Sequence, residues 1–306
     1  MKPFDFKTAR CVTLSVGLLA LAGLSACASS GSQSKVVALD SLDERYRNSW
    51  LAYREGGEAW TAARQAALED PELIRFLIDN IARDMVRTFE QGGQALLASG
   101  GNPYQRARSE LIEFGAPSAR LAAGMLAEGD DVLAFHGADL IGEIGAPAVE
   151  VLIELLGDSR ETVRRRAAEV AGVLRVDSAE LDEELARLLV NDREWIVRAH
   201  VARAIGGRVL GGSFGERGRE GLLAALQEAT SDEDISVAAE AALALGPVRD
   251  LRAATSLIGV LDRAEEAGHA SAARRAQEAL QALFDDPTAR GARTWRSYWS
   301  QHPEYR

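Results

Sequence analysis

The chain has 306 residues, enough for a large core or an extended array, and only 6% are aromatic, which with abundant Ala and Leu points away from a β-rich core. It carries 46 acids against 35 Lys and Arg, a formal charge of −11, and a surface of that sign excludes a nucleic-acid backbone as a general partner. The two cysteines, Cys11 and Cys27, both lie at the start, so the rest of the chain offers neither a disulfide framework nor a Cys-based zinc site.

The first predicted element is an address. Lys2, Lys7 and Arg10 precede an uncharged apolar run from Val12 to Ala26, of signal-peptide length and short for a permanent span. The run ends Leu24-Ser25-Ala26-Cys27, which resembles the bacterial lipoprotein lipobox. That resemblance implies a signal peptide over 1–26, cleavage before Cys27 and acylation of Cys27 as the lipidation site. An ordinary secretory signal cleaved at a small residue is the alternative. Ala28 in place of an Asp implies, by the same resemblance, the periplasmic face of the outer membrane. Residues 1–26 carry a net +2, so their loss leaves −13. Ser29 to Lys35 is small and polar, and 27–40 is read as a flexible tether.

From Ser41 to Leu68 the spacing is helical: Leu42, Tyr46, Trp50 and Tyr53 share a face that Trp60 continues, with a break expected at Gly56-Gly57. Asp70-Pro71-Glu72 predicts a helix start, with Leu73, Phe76, Leu77, Ile81, Met85, Val86 and Phe89 as its apolar stripe. Residues 41–101 are read as a helical N-terminal cap, because a stacked array must cover its first apolar face. Gly115-Ala116-Pro117 and Gly145-Ala146-Pro147 then predict tight corners, Gly ending one helix and Pro starting the next.

The organising signal is a sentence spelt three times: Asp158/Val163/Gly172, Asp192/Val197/Gly206 and Asp232/Val237/Gly246. A fixed internal period predicts stacked helical hairpins. Each Asp is expected to cap a second helix, and each Gly to form a corner. Asp158 with Glu161 fits a capping box. Asp-x4-Val-Arg, with Ala168 and Gly172 following, resembles HEAT repeats, and more narrowly the short bacterial HEAT-like repeats of bilin lyases. The likeness covers about 103–284. It implies an all-α, right-handed α-solenoid of helical hairpins over 102–284, closed by a Trp-bearing C-terminal helix over 285–306 with Trp295, Tyr298 and Trp299. Gly115 and Gly145 lack the Asp and Val, Ala238 replaces the Arg, and Gln281 stands where a sixth Gly is expected.

No two of His136, His200, His269 and His302 have metal-ligand spacing, and Gly-Lys-Ser/Thr does not occur; Gly211-Gly212-Ser213-Phe214-Gly215 has the letters of Gly-x-Ser-x-Gly, but no strand pattern precedes it as a nucleophile elbow requires. No catalytic residue, metal or cofactor is therefore expected. Gly206 to Glu220 is glycine-rich and is read as an enlarged inter-repeat loop, with Arg208 a candidate partner contact. HEAT-type stacking implies that second helices line a concave face. There Arg164, Arg165, Arg166, Arg198 and Arg203 either form a basic stripe or pair with acids of adjacent repeats. Arg165, Arg166, Trp195, His200, Arg203 and Arg208 are the candidate partner-binding residues. The expected function is a non-enzymatic, lipid-anchored envelope scaffold, monomeric, that binds a protein or peptide and not nucleic acid, with the membrane reached through the N-terminal lipid. The alternative is a bilin-lyase-like, small-molecule-handling protein.

Overall fold

The computed structural model describes residues 42–92, 101–212 and 216–301. The leader, Cys27, the tether and His302 lie outside these residues. Among the described residues there are fifteen α-helices, three short 3-10 turns and no strand. The chain divides into two compact units, 1–63 and 64–306.

In the first unit, α1 (Glu44–Glu55) starts at Asp43, whose carboxylate accepts the Arg45 N–H at 3.0 Å. It stops at Gly56-Gly57, both at positive φ (83° and 67°), and α2 (Gly57–Leu68) follows. The predicted aromatic face is present. Tyr53 packs against Trp50 at 5.0 Å and edge-on to Trp60 at 5.3 Å between ring centres.

The second unit opens with α3 (Pro71–Gly92), where the Asp70 carboxylate accepts the N–H groups of Glu72 and Leu73 at 3.1 and 3.0 Å. α4 (Pro103–Glu113) is capped in the same way by Asn102 on the Gln105 N–H. Then come α5 (Ala116–Glu128), α6 (Asp131–Ile144), α7 (Val149–Leu156), α8 (Glu161–Val173), α9 (Ala179–Asn191) and α10 (Trp195–Gly211). The series ends with α11 (Glu216–Ala229), α12 (Ile235–Leu245), α13 (Ala254–Glu266), α14 (Ala270–Phe284) and α15 (Ala292–Gln301). Consecutive members pair as antiparallel hairpins, α5 on α6, α7 on α8, α9 on α10, α11 on α12 and α13 on α14. The even helices also form a row in which α4 touches α6, α6 touches α8, and so on to α14. The odd helices form a second row, α3 on α5, α5 on α7, α7 on α9 and α9 on α11. The core lies between the rows and is filled by Ala, Leu, Val and Ile. This is the all-α solenoid that the internal period predicts.

Three local expectations change. Gly115 and Gly145 do make corners, with φ of 63° and 74° and ψ near −126° and −129°, backbone that a Cβ disfavours. Gly172, Gly206 and Gly246 do not. Gly172 and Gly206 lie inside α8 and α10, and Gly246 ends α12 with right-handed helical angles. What they share is a neighbour. A Cβ on Gly172 would stand 2.8 Å from Ala204 Cα, on Gly206 2.8 Å from Ala244 Cβ, and on Gly246 2.6 Å from Ala279 Cα. Each glycine lets its helix touch the next helix of the even row. Ala204 and Ala244 each sit two residues before the following repeat's own glycine, and Ala279 two before Gln281. Among the described residues α14 is the last of the even row, and none of them forms a further even-row helix against Gln281.

The repeated Asp is not the helix cap. The caps are Arg160, Glu194 and Asp234, and only Asp234 accepts a helix N–H, from Ser236. Asp158, Asp192 and Asp232 sit two residues earlier and accept the N–H of those cap residues at 2.8, 2.9 and 2.8 Å. They close an Asx turn that aims the chain into the helix, a local bond this short side chain makes readily. Finally, Gly206–Gly211 is helix, not loop. α10 runs on because buried Arg208 and Val209 anchor it, and Gly207 fits against the Gly172 carbonyl, 2.7 Å from where its Cβ would be.

Candidate functional site

The even row holds the sequence-predicted residues, and they divide into two sets. One set builds the stack. The Arg164 guanidinium donates to Asp192 through Nε (2.6 Å) and Nη2 (2.9 Å) and reaches back to its own repeat's Asp158 carbonyl through Nη1 (2.9 Å). One repeat on, Arg198 does the same to Asp232 (2.7 and 2.9 Å) and to the Asp192 carbonyl (2.8 Å). Both pairs are almost wholly buried, and the paired carboxylates raise the Arg164 and Arg198 pKa values. Where Ala238 interrupts the motif, Arg263 of α13 donates to the Asp232 carbonyl instead, at 3.1 Å. Pairing with acids of adjacent repeats is thus the fate of Arg164 and Arg198.

Arg166 is tied down as well. It donates to the carbonyls of Leu126 and Gly129 and to Asp131, bracing α8 on the α5–α6 turn. Arg208 has no surface at all: it is 0% exposed, and its donors are spent on Asp182 (2.7 Å) and on the carbonyls of Leu174 and Val176. As a contact for a partner it is corrected. It instead staples the end of α10 to the α8–α9 connection, because a buried guanidinium needs a buried carboxylate and carbonyls around it.

The other set forms a groove. Trp195, Ile196, Ala199, His200 and Arg203 of α10, Ser236, Ala239 and Glu240 of α12, and Ser271, Ala272 and Arg275 of α14 line one shallow depression of about 240 Å³. Three consecutive repeats contribute the same face of their second helix. Small alanines form the floor, and Trp195 stands on the rim 45% exposed. Within it, Glu240 is buried and its Oε1 is shared: Arg203 Nη2 donates to it at 2.8 Å and Arg275 Nε stands 2.9 Å away. Beside the groove, His200 Nδ1 lies 2.9 Å from Glu169 Oε1, an ion-pair distance without the geometry of a hydrogen bond. Contact with His200 lowers the Glu169 pKa, helped by the positive charges of Arg165 and Arg203. Arg165 acts on that acid through its charge but is not in the groove, and its Nε is buried with no acceptor among the described residues.

Of the six predicted surface residues, then, the structure brings Trp195, His200 and Arg203 together, leaves Arg165 alongside, and removes Arg166 and Arg208. Glu240 and Arg275 are missing from the sequence reading. A signal for Glu240 exists: the residue eight after the repeated Asp is Arg166, His200 and Glu240 in turn. Arg275 follows a copy without that Asp and could be found only by aligning helix starts.

Neither Ser236 nor Ser271 bonds His200; the Ser271 hydroxyl lies 3.4 Å from His269 Nδ1. Among the described residues no cluster of three or more His, Cys, Asp or Glu is placed to hold a metal ion. His136 is fully buried beside Phe89 and Tyr104, and burial lowers its pKa. No helix among the described residues is long and apolar enough to cross a membrane.

Comparison with known proteins agrees with the two-row stack. The family model for HEAT repeats matches residues 118–206 and 183–281. Among curated proteins none matches the sequence. Solved structures with some likeness include an engineered protein from the Northeast Structural Genomics Consortium, 16% identical, covering 68% of this chain and 97% of its own at a TM-score of 0.38. A designed armadillo repeat protein in complex with the peptide (KR)4 is 17% identical over 65% of this chain and 98% of its own, at 0.36. A second engineered protein from the same consortium is 16% identical over 80% and 76%, at 0.38. Likenesses at such scores add nothing to the assignment, which stands on the sequence match. With the matches spanning more than half of the chain and the helices stacked hairpin on hairpin, this protein belongs to the HEAT-repeat family.

Proposed function

We propose that the chain is a non-enzymatic, lipid-anchored scaffold of the bacterial cell envelope that captures a protein segment across α10, α12 and α14. Solenoids of this kind commonly bind proteins or peptides along preformed surfaces, at little ordering cost. The observation that carries the reading is the groove itself. It exposes a Trp and two Arg side chains, the residue types that dominate binding energy at interfaces, over a floor of alanines. The lipobox-like Leu24-Ser25-Ala26-Cys27 supports the anchoring and the envelope location.

The test is recovery of bound protein from solubilised envelopes with wild type and with the double variant Trp195→Ala, Arg203→Ala. Hot-spot truncation costs about 2 kcal/mol or more, roughly thirtyfold in affinity. A stoichiometric partner is expected with wild type and not with the variant, at unchanged circular dichroism. Equal recovery of the same partner by both would refute the site, and a coloured or small-molecule-loaded preparation would favour the bilin-lyase-like reading.

A further inference from the structure

The groove's charges are unbalanced, and the imbalance says what kind of segment fits. Glu240 gives one oxygen to two guanidiniums. Neither Arg203 nor Arg275 has another hydrogen-bond acceptor among the described residues, and their side chains are 55% and 29% exposed. The buried carboxylate holds the two forks close together and neutralises one of their two positive charges, while Glu169, the other acid near Arg203, sits beside the groove against His200. Arg forks in that arrangement match a carboxylate, which accepts two parallel N–H bonds. The surrounding protein works the other way. Its formal charge of −11 repels an acidic tract. Fields between exposed charges fade over about 8 Å at physiological salt, so only an anion already inside the groove feels the arginine pair undiluted. Trp195, half-exposed on the rim, offers an apolar face in the same depression, about two helical turns from Arg203. The depression is open to solvent and lined by three successive second helices, so an extended segment laid across them meets the whole set.

We propose that the groove selects an extended internal segment bearing a single Asp or Glu beside an apolar side chain, the carboxylate taken by Arg203 and Arg275 and the apolar group covered by Trp195. The inference rests on the partner-binding reading above and adds the chemistry of the partner.

Three fluorescently labelled peptides, capped at both ends, test it. Each carries Leu on either side of a central Glu, Gln or Lys within a Gly-Ser background. Titration with the full chain at 0.15 M salt is read by anisotropy. The Glu peptide is expected to bind at least tenfold tighter than the Gln peptide, and the Lys peptide more weakly still. Arg203→Gln and Arg275→Gln should each erase the Glu-over-Gln preference with circular dichroism unchanged, whereas Trp195→Ala should weaken the Glu and Gln peptides alike. A preference for Lys, a preference that survives both Arg variants, or no binding of any peptide overturns the carboxylate assignment. The scaffold reading fails separately, when envelope capture does not respond to the groove variants.

Discussion

Asp192 serves two turns of the stack at once. Its carboxylate takes the Glu194 N–H and both prongs of Arg164, and its carbonyl takes Arg198. Asp158 makes the same backbone turn, but the preceding repeat has no arginine for it; its partner is the half-exposed Arg160 two residues on. The two positions read alike in sequence and differ in consequence. Removing one partner of a buried pair strands the other charge and costs about 3–5 kcal/mol, whereas an exposed pair contributes about 1 kcal/mol or less. Asp192→Ala should therefore lower stability to urea several times more than Asp158→Ala, measured by circular dichroism at equilibrium. Equal losses would show that the turn, not the arginine ladder, is what these acids supply. The Asp–Val–Arg spacing was plain in the sequence. It also left pairing of the arginines with acids of adjacent repeats as one of two readings; that the repeated Asp is the acid was not legible, because a helix cap and an Asx turn with a cross-repeat ion pair both ask for Asp at a helix start.

For the helices, even-row neighbours meet at Gly172, Gly206 and Gly246 through Ala204, Ala244 and Ala279. Two effects of Gly→Ala compete there. Alanine gains up to about 1 kcal/mol in helix propensity, but a Cβ forced into a filled contact costs about 1–3 kcal/mol. At Gly206 the contact should win, because the atom it would meet is Ala244 Cβ at 2.8 Å on a packed helix. At Gly259, exposed on α13 with nothing within 4 Å, the propensity gain should stand alone. Gly206→Ala is expected to lower the thermal midpoint and Gly259→Ala to raise it. The same sign at both sites would remove the packing explanation. A recurring glycine reads identically whether it is needed for positive φ or for its missing Cβ, which is why, of the five glycine corners expected in the stack, only the two Gly-Ala-Pro ones are corners.

At the scale of the molecule, each hairpin of the second unit leans on its neighbours, and α15 completes the last by laying Trp295 (0% exposed) flat on Phe284 at 5.3 Å while packing on α13. Such a stack offers a surface but no means of staying in one place. In the proposed function that is the task of Cys27, since one acyl chain binds membranes marginally and two or more hold stably. Cys27→Ser is expected to move the protein from the membrane to the soluble fraction without changing its helical content. Unaltered fractionation of that variant would dismiss the anchor and leave the HEAT fold standing.

The sequence by itself determined the class of fold, because a period of Asp, Val and Gly recurring with apolar helical faces allows little besides hairpins that share their cover. It also supplied three of the eleven residues that line the groove, Trp195, His200 and Arg203. Only the tertiary structure decided which arginines are surface and which are mortar. Arg208 and Arg203 look alike in the chain, yet one meets a buried carboxylate and backbone carbonyls while the other meets a single shared oxygen beside solvent. The partners that separate them, Asp182, Glu240 and Arg275, lie 26 to 72 residues away in the chain. Charge pairing across a stack is settled by which helices touch, and no local pattern carries that information.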